Sequence, residues 1–161
     1  MQPSTNDSWI IFDYEVQMYF STRAAIANRP APNSDQKLII KNALVESAML
    51  HTRILVDILL ARGSSSDDLH LDHLLPASNT SHALENALVH LKSAWGNRNK
   101  PNSPCWTLNK MLAHGTRLRS ASYDYGSLAN AVDPHVFAAI QEITALADRP
   151  HLMKHLSQEG P

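Results

Sequence analysis

Apolar residues recur along this chain at the three- and four-residue spacing of an α-helix, and no segment alternates convincingly in the manner of a strand. Glycine is scarce, with five residues in 161. The pattern predicts an all-α protein, and the length suggests one domain over residues 1–161. We expect a helical bundle of four to five main helices. Arg149-Pro150 closes the last main helix. We expect residues 149–161 to form a tail that can be mobile.

The first two helices have clear start and stop residues. The first is predicted from Asp7 or Ser8 to about Asn28, where the prolines of residues 30–32 stop it. The second is the long central helix, about residues 34–62, with Ser34 as its N-cap and Gly63 just past its end. Its apolar residues point in several directions, which is typical of a helix with neighbours on most sides.

Weaker signals place the remaining elements. We predict a short helix or turn over 69–75, a third helix from Thr80 or Ser81 to Trp95, a fourth from Cys105 to about His114, and a last main helix over 134–147. Asp133-Pro134 predicts the start of that last helix, because aspartate caps a helix and proline fits its first turn. Residues 120–126 look irregular.

Composition narrows the functional classes. The formal net charge is −1, so no overall basic excess attracts nucleic acid, and any contact with RNA would need a local patch. The single cysteine, Cys105, rules out an intramolecular disulfide and suits a reducing, cytoplasmic setting. Charged residues interrupt the apolar stretches, and no secretory signal is visible, so no membrane span is expected.

Charged residues inside the central helix are the most informative feature. Glu46, Arg53 and Asp57 lie within ~40° of one another on one helical face, whereas His51 points away from them. A buried charge is costly without a partner, so the stripe needs one. Two interpretations stay open, namely a structural ion-pair ladder that fixes helix docking and a polar groove lined by Glu46 and Arg53.

A second polar segment could supply that partner. Residues 109–117 place His114 at a helix end, where the helix dipole favours a cation. Lys110 precedes His114 and Arg117 follows it, which gives a local basic cluster in a nearly neutral chain. The alternative is a capping histidine with a few solvated cations around it.

The run Asn-Lys-Met-Leu-Ala-His-Gly-Thr over residues 109–116 resembles the signature of HEPN domains, small helical bundles of toxin–antitoxin and defence systems. The Glu-Ser…His-Thr-Arg…Asp pattern of the central helix, with this run, also resembles a family of bacterial helical proteins related to that fold. The resemblance implies metal-independent action on RNA, in which an arginine and a histidine work together. Positions 107–109 hold no arginine, a departure from the family pattern, and Arg53 is the candidate replacement.

The resemblance then implies a role for each candidate residue. His114 would act as general acid or base, since its pKa suits neutral pH. The remaining candidates would hold the phosphate or orient the reacting groups: Arg53, Lys110, Thr116 and Arg117 for the phosphate, Glu46 to orient Arg53 or His114, and Asn109 as a hydrogen-bond donor. No cofactor is implied, and whether the chain is an enzyme stays open. The alternative function is a non-catalytic interaction module, a homodimer or the subunit of a cognate protein partner.

Two further features stay open at this level. His70 and His73, and likewise His151 and His155, have spacings that one metal ion could bridge on a helix, but neither pair matches a defined zinc motif. Solvated loop or tail residues are the simpler interpretation, and we predict no metal site. Trp95 and Trp106 flank the polar loop over 97–104, where they would either stack on a base or pack beneath the loop.

Overall fold

A computed structural model describes residues 5–61, 68–76, 78–112 and 124–155, and every regular element in these ranges is helical. The prediction of an all-α bundle is confirmed, with five main helices. None of the described helices is long and apolar enough to cross a membrane. The elements are α1 (Thr5–Ala27), α2 (Asp35–Leu60), α3 (Leu71–Leu74), α4 (His82–Trp95), α5 (Pro104–Leu112), α6 (Tyr125–Leu146) and a closing 3-10 helix (Pro150–His155).

Two helix pairs build the core. α1 packs on α2, α4 packs on α6, and α2 also contacts α5 and α6, so it joins the two pairs. The apolar stripe predicted for α1 faces inward, with Phe12 and Val16 fully buried. The largest fully buried side chains are Tyr19, Phe12, Leu55, Leu59, Leu71, Leu84, Leu91, Leu108, Ile140, Ile143, Leu152 and Val16.

The central helix α2 is buried over only half its length. Ser34 caps it as predicted, accepting a hydrogen bond from the backbone N–H of Lys37. Its C-terminal half carries the buried residues, whereas residues 35–43 are exposed, including Ile39 at 67%. Three consecutive apolar residues, 38–40, spread over about 200° of helix surface, which is more than one neighbouring helix covers. The first half of α2 therefore presents an aliphatic surface to solvent.

Helix α6 begins nine residues earlier than predicted. Its N-cap is Asp124, which accepts from the backbone N–H of Ser127, and Pro134 lies inside the helix. The predicted start at Asp133-Pro134 is wrong, because the Asp133 carboxylate binds Arg23 of α1 instead of capping a helix. Pro134 is exposed, so water can hydrate the carbonyl that its ring leaves without a donor.

The end of the described chain packs on α1. Leu152 of the 3-10 helix is fully buried. The Arg149 guanidinium lies 4.2 Å from the ring centre of Trp9, and His151 Nε2 is 3.3 Å from Asp13 Oδ2. Within the predicted tail, residues 149–155 thus contact the bundle, while residues 156–161 lie outside the described ranges.

Candidate functional site

Three elements enclose a cleft of about 370 Å³ on one side of α2. We call it the cationic cleft, because each element contributes one cation to its wall: Arg53 from α2, Arg98 from the loop after α4, and Lys110 from α5. Its other lining residues are Asp57, Trp95, Asn99, Cys105 and Asn109. Three cations therefore face a single carboxylate among the described residues of this wall, in a chain with a net charge of −1.

A tight loop positions Arg98 and Asn99. Gly96 ends α4 with φ +70° and ψ −146°, a conformation that side chains rarely allow, and a Cβ there would lie 2.7 Å from Ser103 Cβ. The Ser103 hydroxyl donates to the carbonyl oxygens of Asn97 and Lys100 at 2.8 and 2.9 Å. These bonds close the loop over residues 96–103 and hold its side chains against the cleft.

Helix α5 supplies the opposite wall. Its first turn is fixed by Ser103, whose hydroxyl oxygen accepts from the backbone N–H of Trp106 at 3.2 Å. Cys105 and Asn109 are one turn apart, and Asn109 Nδ2 lies 3.6 Å from Cys105 Sγ. Burial raises the pKa of the Cys105 thiol, and the nearby Asp57 carboxylate raises it further. This direction disfavours the thiolate form of Cys105.

The ion pair inside the cleft is loose. Arg53 Nε lies 3.6 Å from Asp57 Oδ2, and the two side chains are 31% and 62% exposed. The pKa of the Asp57 carboxyl is raised overall. Desolvation in the cleft raises it, whereas the charges of Arg53 and Arg98 lower it. The charge of Arg98 acts on both Asp57 and Cys105, which is consistent with its place in the same wall of the cleft.

The structure brings three of the predicted site residues together. Arg53, Asn109 and Lys110 all line the cationic cleft. Glu46 lies about 10 Å before Arg53 along α2 and does not line it, and the partner of Arg53 is Asp57. The remaining three predicted residues, His114, Thr116 and Arg117, lie outside the described ranges.

The register of α5 decides which of positions 107–109, where the HEPN resemblance predicts an arginine, faces the cleft. Of the positions where the HEPN pattern places it, Thr107 and Leu108 are buried in the core, with 1% and 0% exposure. Asn109 is the position that turns toward the cleft, where Arg53 is also found. Arg53 and Asn109 thus line the same cleft, and the replacement of a family arginine by Arg53 stays a prediction.

The cleft also holds residues that sequence reasoning did not select. Arg98 and Asn99 belong to a segment identified only as a loop, and their convergence with α2 depends on the fold of residues 96–103. Trp95 is 5% exposed and lies beneath this loop as part of the cleft wall.

A second polar group lies on the other side of α2. His51 Nδ1 is 2.7 Å from Glu15 Oε2, and both side chains are buried. The prediction that His51 points away from the Arg53 stripe is consistent with this pairing across α1 and α2. Glu15 was not predicted, because its burial depends on how α1 packs against α2.

The histidine pairs have other contacts. The backbone N–H of His70 donates to His73 Nδ1 at 3.1 Å, so that ring nitrogen is already used. His151 contacts Asp13, and the structure describes the backbone of His155 but not its side chain. Within the described ranges, no group of three or more histidine, cysteine, aspartate or glutamate side chains is arranged to hold a metal ion.

Comparison with family models, curated proteins and solved structures finds no match for this chain. The helical bundle is therefore established by the structure alone. The HEPN resemblance stays a prediction.

Proposed function

We propose that the chain is an HEPN-like, RNA-directed protein and that the cationic cleft binds the sugar–phosphate backbone of RNA. One observation carries the proposal: Arg53, Arg98 and Lys110 come from three separate elements and meet at one cleft, although the net charge of the chain is −1. Cations that converge from distant parts of a nearly neutral chain favour an anionic ligand.

The cleft suits a phosphate within a small unit. Arginine presents a planar set of donors that matches phosphate oxygens, and lysine adds a compact charge. A volume of about 370 Å³ lies at the lower end of the range for small-ligand sites, which fits one nucleotide unit rather than a duplex. The amides of Asn99 and Asn109 can donate to and accept from the sugar and base.

Binding of a fluorescein-labelled single-stranded RNA, measured by fluorescence anisotropy, tests the proposal. We expect Arg98→Ala to weaken binding about tenfold, the effect of losing a charge-assisted hydrogen bond. Lys100→Ala is the matched control, since Lys100 is an exposed cation of the same loop that does not line the cleft. Equal affinities for the two variants would contradict the proposal.

Cleavage is a separate part of the proposal. His114 would supply general acid–base catalysis next to the phosphate, with Thr116 and Arg117 as further phosphate contacts. Degradation of RNA by the purified protein should fall sharply in His114→Ala. If this variant cleaves as fast as the wild type, His114 has no part in the chemistry, and RNA binding by the cleft is still tested by Arg98→Ala.

The biological setting follows from the resemblance alone. We propose a bacterial, cytoplasmic defence or toxin–antitoxin role with a cognate protein partner. A neighbouring open reading frame for a nucleotidyltransferase-like protein would support this setting, because such pairs are what the HEPN resemblance implies.

A homodimerisation module is the second candidate function, and the first half of α2 favours it. Leu38, Ile39 and Ile40 are exposed on this surface, and a two-fold axis would place the patch against its own copy. Sedimentation velocity of the wild type should show a dimer, and Ile39→Lys should release monomers. A monomeric wild type at ~100 µM, well above the Kd of a stable dimer, would remove this candidate.

A further inference from the structure

The carboxylate of Asp57 is the feature of the cationic cleft that phosphate binding does not explain. It lies in the wall with Arg53, Arg98 and Lys110, so it repels the anion that the three cations attract. A carboxylate has only acceptor atoms, so it is favourable beside a ligand that also presents a donor. The chemistry of this wall therefore favours a ligand with a phosphate and a hydrogen-bond donor a short distance apart.

We propose that Asp57 accepts a hydrogen bond from the ribose 2′-hydroxyl, so that the cleft takes ribonucleotides in preference to deoxyribonucleotides. This inference rests on the proposed binding of RNA and names the group that selects it. In RNA, the 2′-hydroxyl is next to the 3′-phosphate on the same sugar, and it is the group by which a protein distinguishes RNA from DNA.

The arrangement of the cleft supports a division of roles. Arg98 and Lys110 come from outside α2 and are placed to hold the phosphate. Arg53 Nε lies 3.6 Å from Asp57 Oδ2, one helical turn away, so this loose pair keeps Asp57 beside the cations and leaves Arg53 donors for the phosphate as well. The Asp57 side chain is 62% exposed, which leaves its second oxygen open to a ligand.

Other ligand donors fit less well. An exocyclic amine of a base is separated from the phosphate by the whole sugar, whereas the cations and Asp57 share one cleft of about 370 Å³. A serine or threonine phosphate offers no hydroxyl beside the phosphate group. The 2′-hydroxyl is the donor that belongs to the same sugar as the phosphate.

Calorimetric titration with adenosine 3′-monophosphate and with its 2′-deoxy counterpart tests the inference, with inorganic phosphate as a reference. The wild type should bind the ribonucleotide about tenfold more tightly, the effect expected of a hydrogen bond to a charged acceptor. Asp57→Ala should bind the two nucleotides equally and should bind inorganic phosphate as tightly as the wild type or more tightly, since a repulsive charge is gone.

Two further variants complete the test. Asp57→Asn keeps an acceptor and the shape of the side chain, so it should retain part of the ribose preference. Asp35→Ala removes an exposed carboxylate of the same helix far from the cleft and should retain all of it.

The outcomes separate the two proposals. If the wild type binds both nucleotides with equal affinity, or if Asp57→Ala keeps the preference, the role of Asp57 is wrong and RNA binding by the cleft still stands. If the wild type binds neither nucleotide, nor phosphate, nor labelled RNA, the proposed function fails and the inference fails with it.

Discussion

Two arginine–aspartate pairs in this molecule differ in how completely each arginine is used. Arg23 of α1 donates to both carboxylate oxygens of Asp133 at 2.7 and 2.6 Å, and also to the Thr52 hydroxyl at 2.8 Å. Arg53 of α2 meets Asp57 at a single distance of 3.6 Å. The same two side-chain types thus form a saturated pair in one region and an open pair in the other.

Surroundings account for the difference. The Arg23 guanidinium lies 3.7 Å from the ring centre of Tyr19, and its pair joins α1 to α6 across the flank of α2. Burial raises the pKa of the Tyr19 phenol, so this ring stays neutral beside the pair. Arg53 and Asp57 lie on the same helix, so the ion pair between them does not join two helices. The Arg23–Asp133 pair therefore links two helices of the bundle, whereas the Arg53–Asp57 pair leaves guanidinium donors of Arg53 for a ligand.

The largest expected effect is on the Arg23 pair. Arg23→Met should lower the free energy of unfolding by about 3 kcal/mol, because Asp133 loses its partner in a partly buried site. Urea unfolding measures the change. RNA affinity should stay at the wild-type value once the variant is folded.

If Arg23→Met lowers the free energy of unfolding by less than about 1 kcal/mol, the Arg23–Asp133 pair contributes no more than an ordinary surface pair. The two arginine–aspartate pairs would then not differ in their contribution to stability. Arg29→Met is the matched control, since Arg29 is an exposed arginine that follows the same helix.

The loop that carries Arg98 comes next. Gly96→Ala should cost about 2 kcal/mol of stability, because φ +70° and ψ −146° strain any side chain and the new Cβ meets Ser103. RNA affinity should also fall, as the strained loop displaces Arg98. Urea unfolding and anisotropy report the two effects. Asn86→Ala, at an exposed site of α4, should change neither stability nor RNA affinity. If Gly96→Ala binds RNA as tightly as the wild type, the conformation of this loop does not matter for binding.

Substitution of Arg53 gives the opposite profile from Arg23. Arg53→Met should weaken RNA binding about tenfold and change stability by less than ~1 kcal/mol, because a loose, half-exposed pair contributes little. Arg53→Lys should also fail in binding, since lysine lacks the planar fork. Lys41→Met, an exposed cation of the same helix, is the control. A stability loss as large as that of Arg23→Met would make Arg53 a structural residue.

The smallest effect is the pH dependence of Asp57. Its pKa is raised in the folded protein from the ordinary value of 3.8, so the folded state binds more protons than the unfolded state in the window from 3.8 upward. Stability therefore falls as the pH rises through that window. Asp57→Asn lacks this dependence, so its urea midpoint should rise relative to that of the wild type as the pH increases above 3.8. If the urea midpoint of Asp57→Asn rises relative to that of the wild type only as the pH falls, folding lowers the pKa of Asp57 instead of raising it.

The sequence predicted the helices well where capping is local. Ser34 and Ser81 both cap the helices that follow them, and Gly96 ends α4 as expected. The start of α6 was missed because Asp133 and Pro134 form a valid local start signal. Its failure depends on Arg23, 110 residues away along the chain, which no local pattern contains.

The site was predictable in part for the same reason. The polar stripe of α2 predicted Arg53, the basic cluster around His114 predicted Lys110, and the HEPN resemblance implied Asn109. All three line the cleft. Arg98 depends on the fold of a loop, and Glu15 depends on how α1 docks on α2. Both need tertiary contacts that composition and periodicity do not carry.

The packing of the 3-10 helix on α1 has a consequence for synthesis on the ribosome. Trp9 and Asp13 emerge early, but Arg149 and His151, which cover them, emerge about 140 residues later by their numbering. Until then, the indole face of Trp9 has no cation over it and the site of Leu152 is unfilled. The nascent chain thus cannot complete the packing of its first helix until translation has passed Leu152.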